Sequence, residues 1–279
     1  MSEAADLASG KGHTDENFPV ASLLLKAEHR APVMAFYRFA RAADDIADHP
    51  TAGAEEKLKL LLAMRRGLGG DGAPEAVALG AVMAERGIDP VHAHDLLDAF
   101  VQDVTVNRYA DWEGLIGYCR LSAMPVGRFV LDVHGEDRAV WPLSDALCAA
   151  LQVINHLQDC AKDYRALDRV YLPADTLAQT GARIGDLAAE RATPALRATI
   201  VTLAEKTDGL LRISAGFPRA IRDRRLAAEV AIIQRLAESL NMRLLARDPL
   251  SERVHHSTAE AALLAGRAVL GQMFARRPK

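Results

Sequence analysis

The chain has 279 residues, half of them apolar, and its 34 basic and 37 acidic side chains leave a net charge of -3. That length supports a sizeable core at the upper edge of a single domain, and nothing in the charge balance points to a nucleic-acid partner, which usually shows a basic stripe. No apolar run reaches the roughly 18–20 residues of a transmembrane helix, no basic-then-apolar leader opens the chain, and the three scattered cysteines, Cys119, Cys148 and Cys160, read as reduced cytosolic thiols rather than a disulfide frame or zinc site.

Residues 1–15 (MSEAADLASGKGHTD) are small and polar and read as a tail. From Pro32 onward helical signals follow one another. Val33–Asp48 places Phe36, Phe39, Ala40 and Ala43 at three- and four-residue spacings, HPTAG (49–53) ends it, and Glu55–Leu68 forms the next helix. After the GGDGAP loop (69–74), Glu75–Arg86 is helical, and Gly87 with Asp89-Pro90 marks a stop and a new start. Val91–Thr105 carries Leu96, Leu97, Phe100 and Val104 on one side. Asp111 suits the N-cap of a helix through Tyr118, and Met124-Pro125 with Gly127 predicts a kink in mid-helix. Pro142–Tyr164 reads as one long amphipathic helix, followed by a loop over 166–175 and short elements to Gly181. Long helices are expected over Pro194–Ser214 and Pro218–Arg247, with a last one over Thr258–Arg276. With no strand alternation and no repeat, the pattern predicts an all-α protein with a single compact helical domain over 16–279.

Two of these helices carry ordered polar stripes. In FYRFARAADDIADHP (36–50), Asp44 and Asp48 lie four apart and share a face, with Arg41 three residues before Asp44. In LQVINHLQDCAKDYRALDRVYLP (151–173), Asn155, Asp159 and Asp163 repeat every four residues, and Leu147, Leu151, Ile154 and Leu157 make the apolar face. Mg2+ takes oxygen ligands, usually one or two carboxylates, several waters and substrate phosphate. Carboxylates one turn apart on two facing helices can therefore grip a Mg2+ cluster that a diphosphate completes. Arg41, Lys162, Arg165 and Arg169 are further candidates for phosphate contact. A lone D-x-x-x-D is more often a solvated face with i,i+4 partners. Two such stripes beside basic residues, one of them in an otherwise apolar helix centre, favour metal binding.

Other polar residues carry less. His156 and Gln158 face away from the second stripe and read as core or surface groups. His92 and His94 cannot share a helix face, His49 reads as an exposed turn residue, and Tyr118 by spacing alone reads as a core tyrosine. No glycine-rich phosphate loop or dinucleotide fingerprint is present, so no nucleotide or nicotinamide site is legible.

The stretches F-Y-R-F-A-R-A-A-D-D-I-A-D (36–48), Q-V-I-N-H-L-Q-D-C-A-K-D-Y (152–164) and R-V-Y-L-P (169–173) resemble the squalene/phytoene synthase family, and the resemblance spans residues 16–250. It implies the all-α class I isoprenoid (terpenoid) synthase bundle around a central apolar pocket, with Mg2+ used to ionise an isoprenoid diphosphate. E-N-F-P-V-A-S (16–22) and D-P-L-S-E-R-V-H (248–255) look like the branch that converts presqualene diphosphate and water to hydroxysqualene in hopanoid biosynthesis, without a nicotinamide cofactor. The enzyme alternatives are head-to-head condensation of farnesyl diphosphates to presqualene diphosphate or squalene, and of geranylgeranyl diphosphates to phytoene. A catalytically silent helical assembly factor is the non-enzyme alternative, and the complete aspartate motifs argue against it.

By this resemblance Asp44 and Asp48 fall on the first metal motif, and Asn155, Asp159 and Asp163 on the second. Arg41 and Arg169 fall on phosphate-binding positions. Tyr37, Gln152 and Tyr171 lie near the pocket, Phe18 at its entrance and Tyr118 beside the cation. A tyrosine that several relatives carry in the last long helix has no counterpart in A-I-I-Q-R-L-A (231–237). The implied partner is a C30 isoprenoid diphosphate, presqualene diphosphate, with no nucleic acid. A cytoplasmic enzyme handling so long a lipid is expected to touch the inner face of the membrane and to work beside other enzymes of its pathway.

Overall fold

The computed structural model describes residues 25–274. In chain order the helices among them are α1 (Ala27–Asp48), α2 (Ala54–Gly67), α3 (Pro74–Arg86), α4 (Val91–Thr105), α5 (Trp112–Ser122), α6 (Met124–Val133), α7 (Trp141–Gln158), α8 (Cys160–Leu167), α9 (Ala174–Thr180), α10 (Pro194–Ser214), α11 (Phe217–Ala220), α12 (Arg224–Ala246) and α13 (Thr258–Phe274). Among the described residues there is no strand, only an isolated parallel bridge between Arg108 and Val170. The chain divides into two compact units, one of residues up to 106 with 120–137, the other of 107–119 with 138 onward.

In the first unit, α1 packs against α2, α3, α4 and α6. It buries Val33, Phe36, Phe39, Ala43, Ile46 and Ala47, the apolar face that its three- and four-residue spacings define. Phe36 stacks on Phe129 of α6 with ring centroids 4.2 Å apart, and His92 of α4 pairs with Asp132 of α6 at 3.0 Å. The helix starts before Pro32 rather than after it. Pro32 has no N–H for the Glu28 carbonyl one turn back, but the Arg86 guanidinium donates to that carbonyl at 2.6 Å and the helix runs through. Gly80 lets α3 approach the end of α2, since a Cβ there would sit 2.4 Å from the Leu68 carbonyl oxygen.

In the second unit, α7 packs against α10 and α12, α10 against α9 and α12, and α12 against α11 and α13. Val153, Ile154 and Leu157 of α7 are buried, as are Leu196, Ile200 and Leu203 of α10 and Leu236, Leu240 and Leu244 of α12. Each such side chain contributes about 1.5–3 kcal/mol on burial, which fixes the rotation of α7 and so the direction of its polar face. Two buried amides here are held by the backbone and a hydroxyl: the Asn241 amide donates to the Ala204 carbonyl at 3.0 Å, and Gln234 donates to the Leu211 carbonyl at 3.0 Å while accepting from Ser214 at 2.8 Å.

Several helix limits differ from those the sequence predicts. The helix expected over Pro218–Arg247 is divided into α11 and α12, because Asp223 caps a fresh start by accepting from the Arg225 and Leu226 amides at 2.8 and 3.3 Å. The helix expected over Pro142–Tyr164 bends at Asp159 (φ -100°, ψ 7°), where α7 gives way to α8. In place of a kink at Met124-Pro125 the chain is interrupted at Ala123 (φ -123°, ψ -45°) and α6 begins anew. Asp111 caps α5 as predicted, accepting from the Gly114 amide at 2.8 Å. Asp248, in the D-P-L-S-E-R-V-H segment, accepts from the Ala192 and Leu250 amides and from the Ser251 hydroxyl at 2.7–3.0 Å, so that part of the segment serves the turn after α12. Among the described residues no helix is long and apolar enough to cross a membrane.

Candidate active site

On α1, Tyr37, Arg41, Asp44 and Asp48 follow one another at three- and four-residue steps, away from the face that holds the core. Arg41 donates to Asp44 at 2.8 Å and to Asp45 at 2.7 Å. Asp45 was not marked out by the sequence; its place four residues after Arg41 is the signal that could have found it. The Asp44 carboxyl is pushed up to about 7, first by burial and then by the Asp48 carboxylate, with Arg41 pulling the other way and Asp45 and Asp103 adding to the rise. Its side chain is crowded by protein yet keeps 35% of its surface open. Asp103 of α4 is buried, and the repulsion it adds is a tertiary effect with no mark in the local sequence. The Arg41 guanidinium thus leaves negative charge unbalanced at Asp44, a situation that a divalent cation relieves. His49 serves the turn that follows, its Nδ1 accepting from the Ala52 amide at 3.1 Å.

On α7 and α8, Asn155, Asp159 and Asp163 are half-buried. The Asp159 amide donates to the Asn155 carbonyl at 2.9 Å and the Asp163 amide to the Asp159 carbonyl at 2.8 Å, so the four-residue register survives the bend. Lys162, itself exposed, lies 3.6 Å from the half-buried Asp159. The exposed Arg165 donates through one guanidinium nitrogen to the Ala188 and Ala189 carbonyls at 3.1 and 2.8 Å. Arg169, by contrast, is buried.

The segment bearing Arg169 and Tyr171 is held from two sides. Asp168 ends α8 in the left-handed region (φ 50°). Arg108 grips it there, donating to its carboxylate at 2.5 Å and also to its carbonyl. The Val170 amide donates to the Asn107 carbonyl and the Ala174 amide to the Tyr109 carbonyl, each at 2.9 Å. Tyr171 is thereby set into a ring cluster. It stacks on His156 at 3.5 Å, lies 5.7 Å from Tyr109 and 5.5 Å from Tyr118, and Tyr109 and Tyr118 are themselves 5.5 Å apart. Gln152, one turn before His156, places its amide nitrogen 3.1 Å from the imidazole Nε2. Burial, with the Arg169 charge second, pushes His156 down to about 3 and keeps its ring neutral.

The structure therefore gathers Gln152, Tyr118, Arg169 and Tyr171 around His156, a residue whose spacing predicts only that it faces away from the second stripe. His156 does face away from the Asn155–Asp159–Asp163 stripe, but Gln152 and His156 are four apart and share a different face of α7. Tyr109 was also missed; only the pairing of 107–110 with 170–175 brings it in. Phe18 lies outside the described residues.

The candidate metal ligands are all oxygen donors, as Mg2+ requires. Among the described residues no three Asp, Glu, His or Cys side chains converge into a ready-made metal group. An ion that takes only one or two carboxylates at a time, and completes its shell with water and phosphate, fits such a donor set.

A model of squalene/phytoene synthases matches residues 11–260. This chain belongs to the squalene/phytoene synthase family. Within that family it is 55% identical to the hydroxysqualene synthase of Zymomonas mobilis, covering 97% of this chain and 93% of that protein. It is 50% identical to the hydroxysqualene synthase of Rhodopseudomonas palustris, covering 99% and 95%. The solved structure of the squalene synthase HpnC from Alicyclobacillus acidocaldarius superposes with a TM-score of 0.72 at 32% identity, over 86% of this chain and 90% of that one. The expected all-α isoprenoid synthase fold is borne out.

Proposed function

We propose that the protein is a hydroxysqualene synthase, converting presqualene diphosphate and water to hydroxysqualene and diphosphate in the squalene and hopanoid route. The observation that carries this reading is its near-full-length identity, about half of all residues, to hydroxysqualene synthases. The oxygen-donor stripes, the unbalanced charge at Asp44 and the tyrosine cluster around a neutral His156 support it.

In this reading Asp44 and Asp48 of α1 and Asn155, Asp159 and Asp163 of α7 and α8 are the ligands of Mg2+. When bound, Mg2+ supplies Lewis acidity that neutralises the charge gathering on the departing diphosphate. Arg41, held in place by Asp44 and Asp45, and Arg169 bind diphosphate oxygens. Tyr109, Tyr118 and Tyr171 offer ring faces whose negative quadrupoles favour a cation. Neutral His156 adds no repelling charge. Water then forms the C–O bond, and its proton leaves with the diphosphate. The net change replaces diphosphate by hydroxyl with no change in oxidation level, so the reaction calls for no nicotinamide cofactor.

Residues 16–279 are proposed to act as one functional domain behind a short tail. The enzyme is proposed to work in the cytoplasm, touching the inner face of the membrane where a C30 lipid substrate is drawn. Phe18 and Tyr37 are further proposed contacts of that substrate.

Mg2+-dependent binding of inorganic diphosphate tests the metal part of this reading against a silent scaffold. At a hundredfold excess over Kd, diphosphate with Mg2+ should stabilise the folded chain by about 2.7 kcal/mol and raise Tm by roughly 5 °C. No rise, or an equal rise in excess chelator, contradicts the proposal.

A further inference from the structure

The last helix of the second unit is apolar along most of its length, yet none of its residues from 258 to 272 is buried. α13 runs back along α12. Near its start Glu260 accepts from Arg243 of α12 at 2.8 Å, and near its end the Gln272 amide donates to the Pro218 carbonyl of α11 at 3.0 Å. Leu264, Ala268 and Gln272, at four-residue steps, form the half-buried side that meets the rest of the unit. Leu263, Arg267 and Leu270 share the opposite side, and the two leucines are 57% and 56% exposed. A surface helix ordinarily turns its polar side to water; among the described residues this one turns leucines to it.

The surface that the end of α13 reaches is basic. P-R-A-I-R-D-R-R (218–225) carries four arginines against one aspartate, in a chain whose net charge is -3. Arg219, Arg224 and Arg225 are exposed, and the Asp223 carboxylate accepts from the Arg225 and Leu226 amides as the cap of α12. Arg224 and Arg225 stand in the first turn of α12, which holds no acidic residue. The helix dipole disfavours positive charge there, so these arginines do not serve the helix, and an external anion relieves them. From 261 to 279 the sequence has no acidic residue, and Arg276, Arg277 and Lys279 follow the helix.

Leucines turned to water beside a basic surface match a partner with an apolar layer under an anionic one, as in a phospholipid leaflet. A nucleic acid offers anions without the apolar layer. A second copy presenting this same face offers leucines without anions. No described helix is long and apolar enough to cross a membrane, so α13 would lie in the interface plane. We propose that the outer face of α13 and the arginines of the α11–α12 turn dock this enzyme on a membrane surface carrying anionic phospholipids, with the leucines among the acyl chains and the guanidiniums on the phosphates. The proposal assigns a surface to the membrane contact proposed above and rests on that contact, independently of the product formed.

The test is flotation of the full chain with vesicles of phosphatidylcholine, alone or mixed with phosphatidylglycerol, at low and high salt. Wild type should bind the mixed vesicles, bind phosphatidylcholine alone on the order of tenfold more weakly, and lose affinity for the mixture as salt rises. Combining Arg219→Gln, Arg224→Gln and Arg225→Gln should weaken binding to the mixture on the order of 10–100-fold and reduce its salt dependence. Combining Leu263→Gln and Leu270→Gln should weaken it on the order of tenfold with the salt dependence kept. Both sets change exposed side chains, and circular dichroism should match wild type; if one set does not fold, the other decides. Folded variants that bind as wild type does overturn the inference and leave the membrane contact to another surface. Wild type that binds neither vesicle removes the membrane contact itself, and the inference with it. Wild type that binds duplex DNA but no vesicle, or that dimerises through these leucines and binds no vesicle, gives the face to another partner and overturns the inference.

Discussion

Replacing Asp159 or Asp163 with Ala is expected to lower diphosphate release from the substrate on the order of 10²–10³-fold, while far-UV circular dichroism stays unchanged. The two carboxylates are half-buried on the polar side of α7 and α8, and the core of that unit is built from Val153, Ile154 and Leu157 on the other side. Their loss leaves the apolar packing in place. The ion pair of Asp159 with Lys162 spans 3.6 Å and keeps both side chains in contact with water, and such pairs are worth at most about 1 kcal/mol. A large loss of turnover with so small a structural cost is the mark of a ligand rather than of a solvated face. Turnover within a few fold of wild type in either variant would remove the second stripe from the metal site.

Asp44→Asn should separate function from stability. With its carboxyl pushed from an ordinary value of 3.8 up to about 7, the folded chain holds a proton in that window that the unfolded chain has released. Without metal, the contribution of this site to stability therefore falls as pH rises from about 4 to about 7. An uncharged Asn escapes that penalty. The metal-free variant should gain about 1 kcal/mol over wild type at pH 8, after discounting for the 35% of the Asp44 side chain open to water. The gain should shrink towards zero near pH 4, which urea unfolding at the two pH values would show. The same substitution removes a metal ligand, and turnover should drop on the order of 10²-fold. A variant that is less stable than wild type at pH 8 would mean that Asp44 serves the fold.

The two polar stripes were legible because helical periodicity is a local property. Four-residue steps put Asp44 with Asp48, and Asn155 with Asp159 and Asp163, whatever the rest of the chain does. The bend at Asp159 was not legible, because the amide-to-carbonyl bonds at Asp159 and Asp163 keep their four-residue register through it. The divided helix at Asp223 could have been seen, since an Asp before a helical run is an N-cap signal. It was masked by the continuous apolar pattern on either side. Arg165 and Arg169 looked equivalent in sequence. Tertiary contacts alone spend Arg165 on the carbonyls of 188 and 189 and bury Arg169. His156 was misjudged for a related reason: spacing tells which face a residue takes, and only the placing of 168–171 by Arg108 shows that this face meets Tyr171.

The measurement that tests the central claim most directly is product identification with purified protein, Mg2+ and no nicotinamide cofactor. Presqualene, farnesyl and geranylgeranyl diphosphates are offered separately, and products are identified by mass spectrometry. Hydroxysqualene from presqualene diphosphate, with the other two substrates left intact, is the predicted result. Presqualene diphosphate from farnesyl diphosphate, or a C40 hydrocarbon from geranylgeranyl diphosphate, with no alcohol formed, would contradict it.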